Sequence, residues 1–166
     1  MTVYEGEHFF HNPTFPFHID RYVIGRNQHI PSHTHDFVEF VFVVSGCADH
    51  EMSGHQYQLQ PGDVFVIEPD IYHSYTASAE EDTIVYNVLF DPRLLRVELE
   101  SLLQFPAFVQ FFYLRPFLRR NASFVPYQSL KLEEKQTIES HLHVMHDEYK
   151  AMRDGFQLLI RTRWIE

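Results

Sequence analysis

Apolar and polar positions alternate most regularly between His33 and Ser45. In an extended chain, side chains point alternately to opposite faces. His33, His35, Phe37, Glu39, Val41 and Val43 then share one side, and Val38, Phe40, Phe42 and Val44 cover the other. Apolar residues on both faces predict a strand inside a sandwich or barrel, with neither face in water. Shorter runs on either side predict further strands over 17–26, 47–52, 56–60, 64–67, 71–76 and 83–90. Turn signals separate them: Gly25, Pro31, Gly46, Gly54, Pro61-Gly62-Asp63, Pro69 and an acidic loop over 77–82. Many short strands with turns every few residues predict a mainly β sandwich or small barrel over 17–90. Residues 1–16, with Pro13 and Pro16 among aromatics, read as an irregular N-terminal arm.

The pattern changes at Asp91-Pro92, a helix N-cap followed by proline at the first helical position. The region 91–166 reads as helical: a helix over 94–103, an aromatic stretch from Pro106 to Pro116, and a long helix from Leu132. In that helix Ile138, Leu142, Met145, Tyr149 and Met152 recur at spacings of 4, 3, 4 and 3. This is one helix face with a coiled-coil-like seam, suited either to packing within the chain or to a subunit interface. Asp154-Gly155 breaks the pattern, and Phe156, Leu159 and Ile160 begin another helix. The helical pattern still runs at Trp164-Ile165-Glu166, so the expectation is a cut through a longer protein.

Composition narrows the class. The chain has 166 residues, 45% apolar and 16% aromatic, which is the make-up of one packed domain with a helical appendage. A formal net charge of −10 argues against nucleic-acid binding by this chain alone. Cys47 is the single cysteine, so no internal disulfide can form, which fits a reducing cytoplasm. No signal-peptide pattern and no membrane-spanning apolar run stands out. The cluster Arg115, Arg119 and Arg120 reads as a solvated face.

The chemistry concentrates in the histidines. His33, His35 and Glu39 converge on one strand face, and His73 comes on a later strand. Three neutral imidazoles and a carboxylate suit Zn²⁺, Ni²⁺, Fe²⁺, Mn²⁺ or Cu²⁺. Metal binding should weaken below about pH 6, because ligating imidazoles must be neutral. The competing reading is a buried ion pair or hydrogen bond between Glu39 and His73. Tyr75 shares strand parity with His73 and serves either the cavity or the core; Asn87, between Val85 and Val88, needs a partner from a ligand hydroxyl or from backbone. Ser45 is the polar end of the inward row, or a turn residue beside Gly46.

The arrangement His33-x-His35-x3-Glu39-x6-Gly46, Pro61-Gly62-Asp63 and Pro69-x3-His73 resembles the two sequence blocks of the cupin superfamily. Ile71 and Ala77 stand where the second block often has Gly and Asn, departures that leave the four ligand positions untouched. Within the cupins it is similar to the N-terminal effector-binding and dimerisation domain of AraC-type transcription regulators. The phrases His33-Thr34-His35-Asp36-Phe37, Gly62-Asp63-Val64-Phe65, His73-Ser74-Tyr75 and Asp91-Pro92-Arg93-Leu94 resemble rhamnose-responsive members. The resemblance implies a cupin-type double-stranded β-helix followed by α-helices, and a divalent metal held by His33, His35, Glu39 and His73. It also implies a small polar effector, first a sugar, contacted by Phe37, Val41, Ser45, Tyr75 and Asn87, and an arm that folds over the barrel mouth. The expected partners are a second copy joined through Ile138, Leu142, Met145, Tyr149 and Met152, and DNA reached only through a C-terminal domain absent from this chain. The alternative is a small metal-dependent cupin enzyme, a dioxygenase or isomerase, with a storage role as a weaker third reading.

Overall fold

In a computed structural model the described residues are 2–109, 128–129 and 131–166. The stretch holding Pro116, Arg115, Arg119 and Arg120 lies outside them. Ten strands are β1 (Thr2–Tyr4), β2 (Phe17–Ile24), β3 (His29–His35), β4 (Val38–Ser45), β5 (Ala48–Met52), β6 (His55–Leu59), β7 (Asp63–Ile67), β8 (His73–Ala77), β9 (Thr83–Phe90) and β10 (Gln128–Ser129). They form two five-stranded sheets, in the orders β1-β3-β8-β5-β6 and β10-β7-β4-β9-β2. Apart from the β5–β6 hairpin, successive strands up to β9 pass back and forth between the sheets, which is the double-stranded β-helix that the cupin resemblance implies.

The predicted strand from His33 to Ser45 is two strands. It breaks at Asp36-Phe37, where the chain leaves one sheet for the other. Its two-faced apolar pattern has the predicted cause. One face of β4 joins the barrel interior, where Val41 and Val43 pack with Ile24, Met52, Leu59, Phe65 and Ile67. The other face, with Phe40 and Phe42, packs under the helices. The arm is not irregular throughout: β1 pairs in parallel with β3, Thr2 opposite His33 and Tyr4 opposite His35. A 3-10 turn over Gly6–His8 comes next. A side chain at Gly6 has no room, since a Cβ there would stand 2.6 Å from the Phe10 ring.

Asp91 caps the turn after β9, its side chain accepting from Arg93 N. The predicted helix over 94–103 is instead a 3-10 turn over Pro92–Leu95 and a short α1 (Leu99–Leu102). Helix α2 is Pro106–Val109, α3 is Leu132–Ala151 and α4 is Phe156–Ile165. Met152 (φ 48°) and Gly155 (φ 83°) make the left-handed corner between the last two. The seam of α3 faces its own barrel. Leu142 and Met145 are each 1% exposed against the sheet, with Ile138 and Tyr149 packed beside them, whereas Met152 is 59% exposed. Leu142 and Met145 are therefore covered within the chain, the first of the two packings the sequence left open. The sheet's outer apolar face needs covering, and the seam covers it.

Candidate metal centre and effector cavity

The corner between β3 and β4 brings His35 and Glu39 together although they sit in different sheets. His35 Nε2 lies 3.2 Å from Glu39 Oε2, and His73 Nε2, from β8, lies 3.7 Å from the same oxygen. All three side chains are buried, and their ligand atoms fall within 4.8 Å of one another. Backbone contacts fix the imidazoles. His35 Nδ1 is 2.7 Å from Phe37 O and His73 Nδ1 is 3.1 Å from Ile71 O. A carbonyl oxygen only accepts, so each Nδ1 carries the proton and donates, and Nε2 turns inward. Neither inward Nε2 makes a well-formed hydrogen bond.

This donor set fits a divalent metal. Three electron-pair donors facing one another call for a cation between them, either a metal or a shared proton. Burial is the main force lowering the His73 pKa, to about 4, so this imidazole is neutral at pH 7. Burial pushes the Glu39 carboxyl up, but the contact with His35 and the surrounding histidines outweigh it and hold the group below the usual range. Of the four predicted ligands, His33 stands apart. Its Nδ1 is 2.8 Å from Pro31 O, and its ring packs 4.1 Å from the His73 ring, outside the three-atom cluster.

Of the triad, His35 and Glu39 line a cavity of about 360 Å³, with His33 beside them. Phe37, Tyr75 and Asn87, three of the five predicted effector contacts, line it. Val41 and Ser45 do not. Val41 is 1% exposed in the closed core beneath. Ser45 sits beyond a register shift in the β4–β9 pairing, opposite Ile84, next to the Gly46 turn. The arm supplies part of the wall, with Tyr4 edge-on to His33 at 5.1 Å and Phe9 edge-on to Phe37 at 5.4 Å. It is held by Gly6 N, which donates to Asp36 Oδ1 at 2.7 Å, and by Asp36 N, which donates to Tyr4 O at 3.3 Å.

Two groups escape the reading of the sequence. His18 and Asp20 line the cavity from β2, where they alternate with the outward Phe17 and Ile19. That alternation is plain in the sequence, yet it marks a strand and not a site. His50, fully buried between Ala48 and Met52, stacks on Tyr75 at 4.4 Å, and burial lowers its pKa to about 3.

The sequence profile of the AraC-like ligand binding domain family matches residues 18–166. The chain belongs to that family. Over 68 residues it is 35% identical to the HTH-type transcriptional activator RhaR of Escherichia coli (strain K12), and equally to RhaR of Shigella flexneri serotype 5b (strain 8401). The match covers 41% of this chain and 23% of each relative, so it spans less than a quarter of those proteins. Among solved structures, a cupin-like protein from Thermotoga maritima aligns with TM-score 0.46 and 20% identity over 50% of this chain and 63% of its own. A cupin protein from Bacteroides fragilis aligns with TM-score 0.43 and 19% identity over 46% and 66%. The polyketide cyclase RemF of Streptomyces resistomycificus aligns with TM-score 0.42 and 17% identity over 45% and 54%. Among the described residues, no helix is long and apolar enough to cross a membrane.

Proposed function

We propose that this chain is the effector-sensing part of an AraC-type transcriptional regulator, without enzymatic activity, acting in the cytoplasm. The observation that carries the reading is the arm-walled cavity: aromatic and aliphatic sides, a few convergent polar groups, and a size that holds a monosaccharide-scale molecule. The effector is a small polar metabolite, and similarity to RhaR makes a deoxysugar such as rhamnose the first candidate. His35, Glu39 and His73 hold a divalent metal beside it, which when bound supplies a Lewis-acidic site for a ligand oxygen. His33 joins them if its ring turns. DNA contact belongs to a separate domain of the full regulator, in keeping with the net charge of −10 here. The working unit is a homodimer. Its contact surface is not the buried part of the α3 seam; exposed Met152 and the outward face of α4, with Leu158 71% exposed, are the apolar positions left open to a second copy.

A thermal-shift screen of neutral sugars and sugar acids tests the sensing role. A ligand at 100 times its Kd stabilises the fold by about 2.7 kcal/mol. Stabilisation by a sugar without turnover is expected. The absence of any stabilising sugar refutes the reading. The second reading, a metal-dependent cupin enzyme, is favoured by the buried triad, and would show as product formation by metal-loaded protein from the same compounds.

A further inference from the structure

We propose that Asp20 and Asn87 form a second polar subsite in the cavity, taking adjacent hydroxyls of a neutral sugar, and that Asp20 relays its occupancy to helix α3. The inference rests on the small-molecule reading above. Asp20 and Asn87 are directly paired across β2 and β9, and both line the cavity. Directly opposed residues of an antiparallel pair hold their Cβ atoms about 4.5–5.5 Å apart. Two acceptors therefore stand side by side on one wall. Asn87 Oδ1 is buried and has no hydrogen-bond partner, a costly state for an amide oxygen. A ligand hydroxyl donating to it relieves that cost, and a neighbouring hydroxyl reaches Asp20. A carboxylate or phosphate brings acceptors only. Among the described residues no lysine or arginine lines the cavity to receive them.

Asp20 also faces the last turns of α3. Its Oδ1 lies 3.4 Å from Lys150 Nζ and 3.5 Å from His146 Nε2. Two residues earlier on the same strand face, His18 Nδ1 is 3.3 Å from the Tyr149 hydroxyl, and His18 lines the same cavity. Edge strand β2 is thus held to α3 by two residues that a ligand also touches. A hydroxyl bound at Asp20 draws on the same carboxylate that holds Lys150 and His146, so filling the subsite changes how firmly the end of α3 is held.

Calorimetric titration of the 166-residue chain with L-rhamnose, L-fucose, L-arabinose and D-galacturonate tests this. At least one neutral sugar should bind, and galacturonate should bind more weakly than that sugar. Asp20→Ala should weaken the neutral sugar roughly ten- to a hundredfold, the range for a hydrogen bond to a charged group. Asp20→Asn, which keeps the side-chain shape, guards against a folding artefact and should lie between the two. Hydrogen exchange over 145–151 should change on adding the sugar to the wild type. In Lys150→Met binding should persist and the exchange response should shrink. If a sugar binds and both Asp20 variants bind it as the wild type does, the subsite is wrong while the cavity reading stands. If exchange over 145–151 ignores the sugar, the relay is wrong. If no neutral sugar binds, the proposal fails together with the reading beneath it.

Discussion

Replacing Glu39 by Gln separates the two cations that can sit among His35, Glu39 and His73. Glu39→Gln removes the charge and keeps the shape. In the wild type, after chelator treatment, Zn²⁺ added at 100 times its Kd should stabilise the fold by about 2.7 kcal/mol. For a chain of this size each kcal/mol moves Tm by about 2–4 °C, so the expected shift is roughly 5–11 °C. Glu39→Gln should lose nearly all of it, because a neutral amide replaces the one anionic ligand. The pH profile adds a constraint. His73 titrates at about 4, so protons do not compete at that ligand until the pH falls toward 4. The weakening expected below about pH 6 from an ordinary histidine is displaced downward at His73. Differential scanning fluorimetry with and without Zn²⁺ reads all of this. The reasoning is refuted if Zn²⁺, Ni²⁺, Fe²⁺ and Mn²⁺ all leave the wild-type Tm unmoved, or if Glu39→Gln responds as the wild type does. If no metal moves the wild-type Tm, the cation is a proton, and Glu39→Gln should cost about 3–5 kcal/mol as a broken buried pair; if Glu39→Gln responds as the wild type does, Glu39 is not a ligand.

Three more outcomes come from the packing. His50 is neutral when folded and titrates at about 3, against 6.5 when unfolded, so between those values the unfolded chain binds more protons and stability falls as pH falls. At 1.36 kcal/mol per unit, His50 alone removes about 2 kcal/mol between pH 7 and pH 5, and denaturant melts of His50→Gln should show a flatter profile by about that amount. Leu142→Ala should cost about 2–5 kcal/mol with a midpoint independent of protein concentration, because Leu142 packs inside the chain; a concentration-dependent loss would return it to an interface. Asp36→Ala removes the acceptor for Gly6 N, so amides 2–10 should exchange faster while the barrel's do not, and equal protection would mean that the β1–β3 pairing and the arm's aromatics hold it without this bond.

Much of the fold is legible in the sequence because burial imposes strict periods. The strand predicted over 83–90 has its observed ends, and the apolar seam of α3 has its predicted spacing. The seam's destination is not legible, since a helix face that covers a sheet and one that covers a second copy share one pattern. The run from His33 to Ser45 shows the same limit. Alternation survives the Asp36-Phe37 corner, so nothing in the sequence announces that His35 and Glu39 belong to different sheets. Val41 lies on the predicted face but at the wrong depth, since the cavity ends above it, where Phe65 and Ile67 fill the barrel; Ser45 leaves that face at the register shift that sets it opposite Ile84. His18, Asp20 and His50 lie in visible alternation, but alternation alone does not distinguish a cavity wall from an ordinary strand face.

On the proposed sensing role, the corner at Asp36-Phe37 ties the candidate metal site to the arm. Its backbone orients His35, through the carbonyl of Phe37. Its side chains hold the arm, through Asp36 on Gly6 and Phe37 against Phe9 and Phe10. The His35 and Phe37 rings stack at 4.4 Å, so a shift of one is felt by the other. A metal or sugar that merely bound tightly, in any arm position, would shift no population. A ligand that touches Tyr4 and Phe9 while the arm is docked, and loses those contacts when it lifts, has the differential affinity that a shift requires. On this geometry a factor of ten in that difference is about 1.4 kcal/mol, comparable to the single Gly6–Asp36 hydrogen bond, so modest contacts with the arm suffice to move its equilibrium.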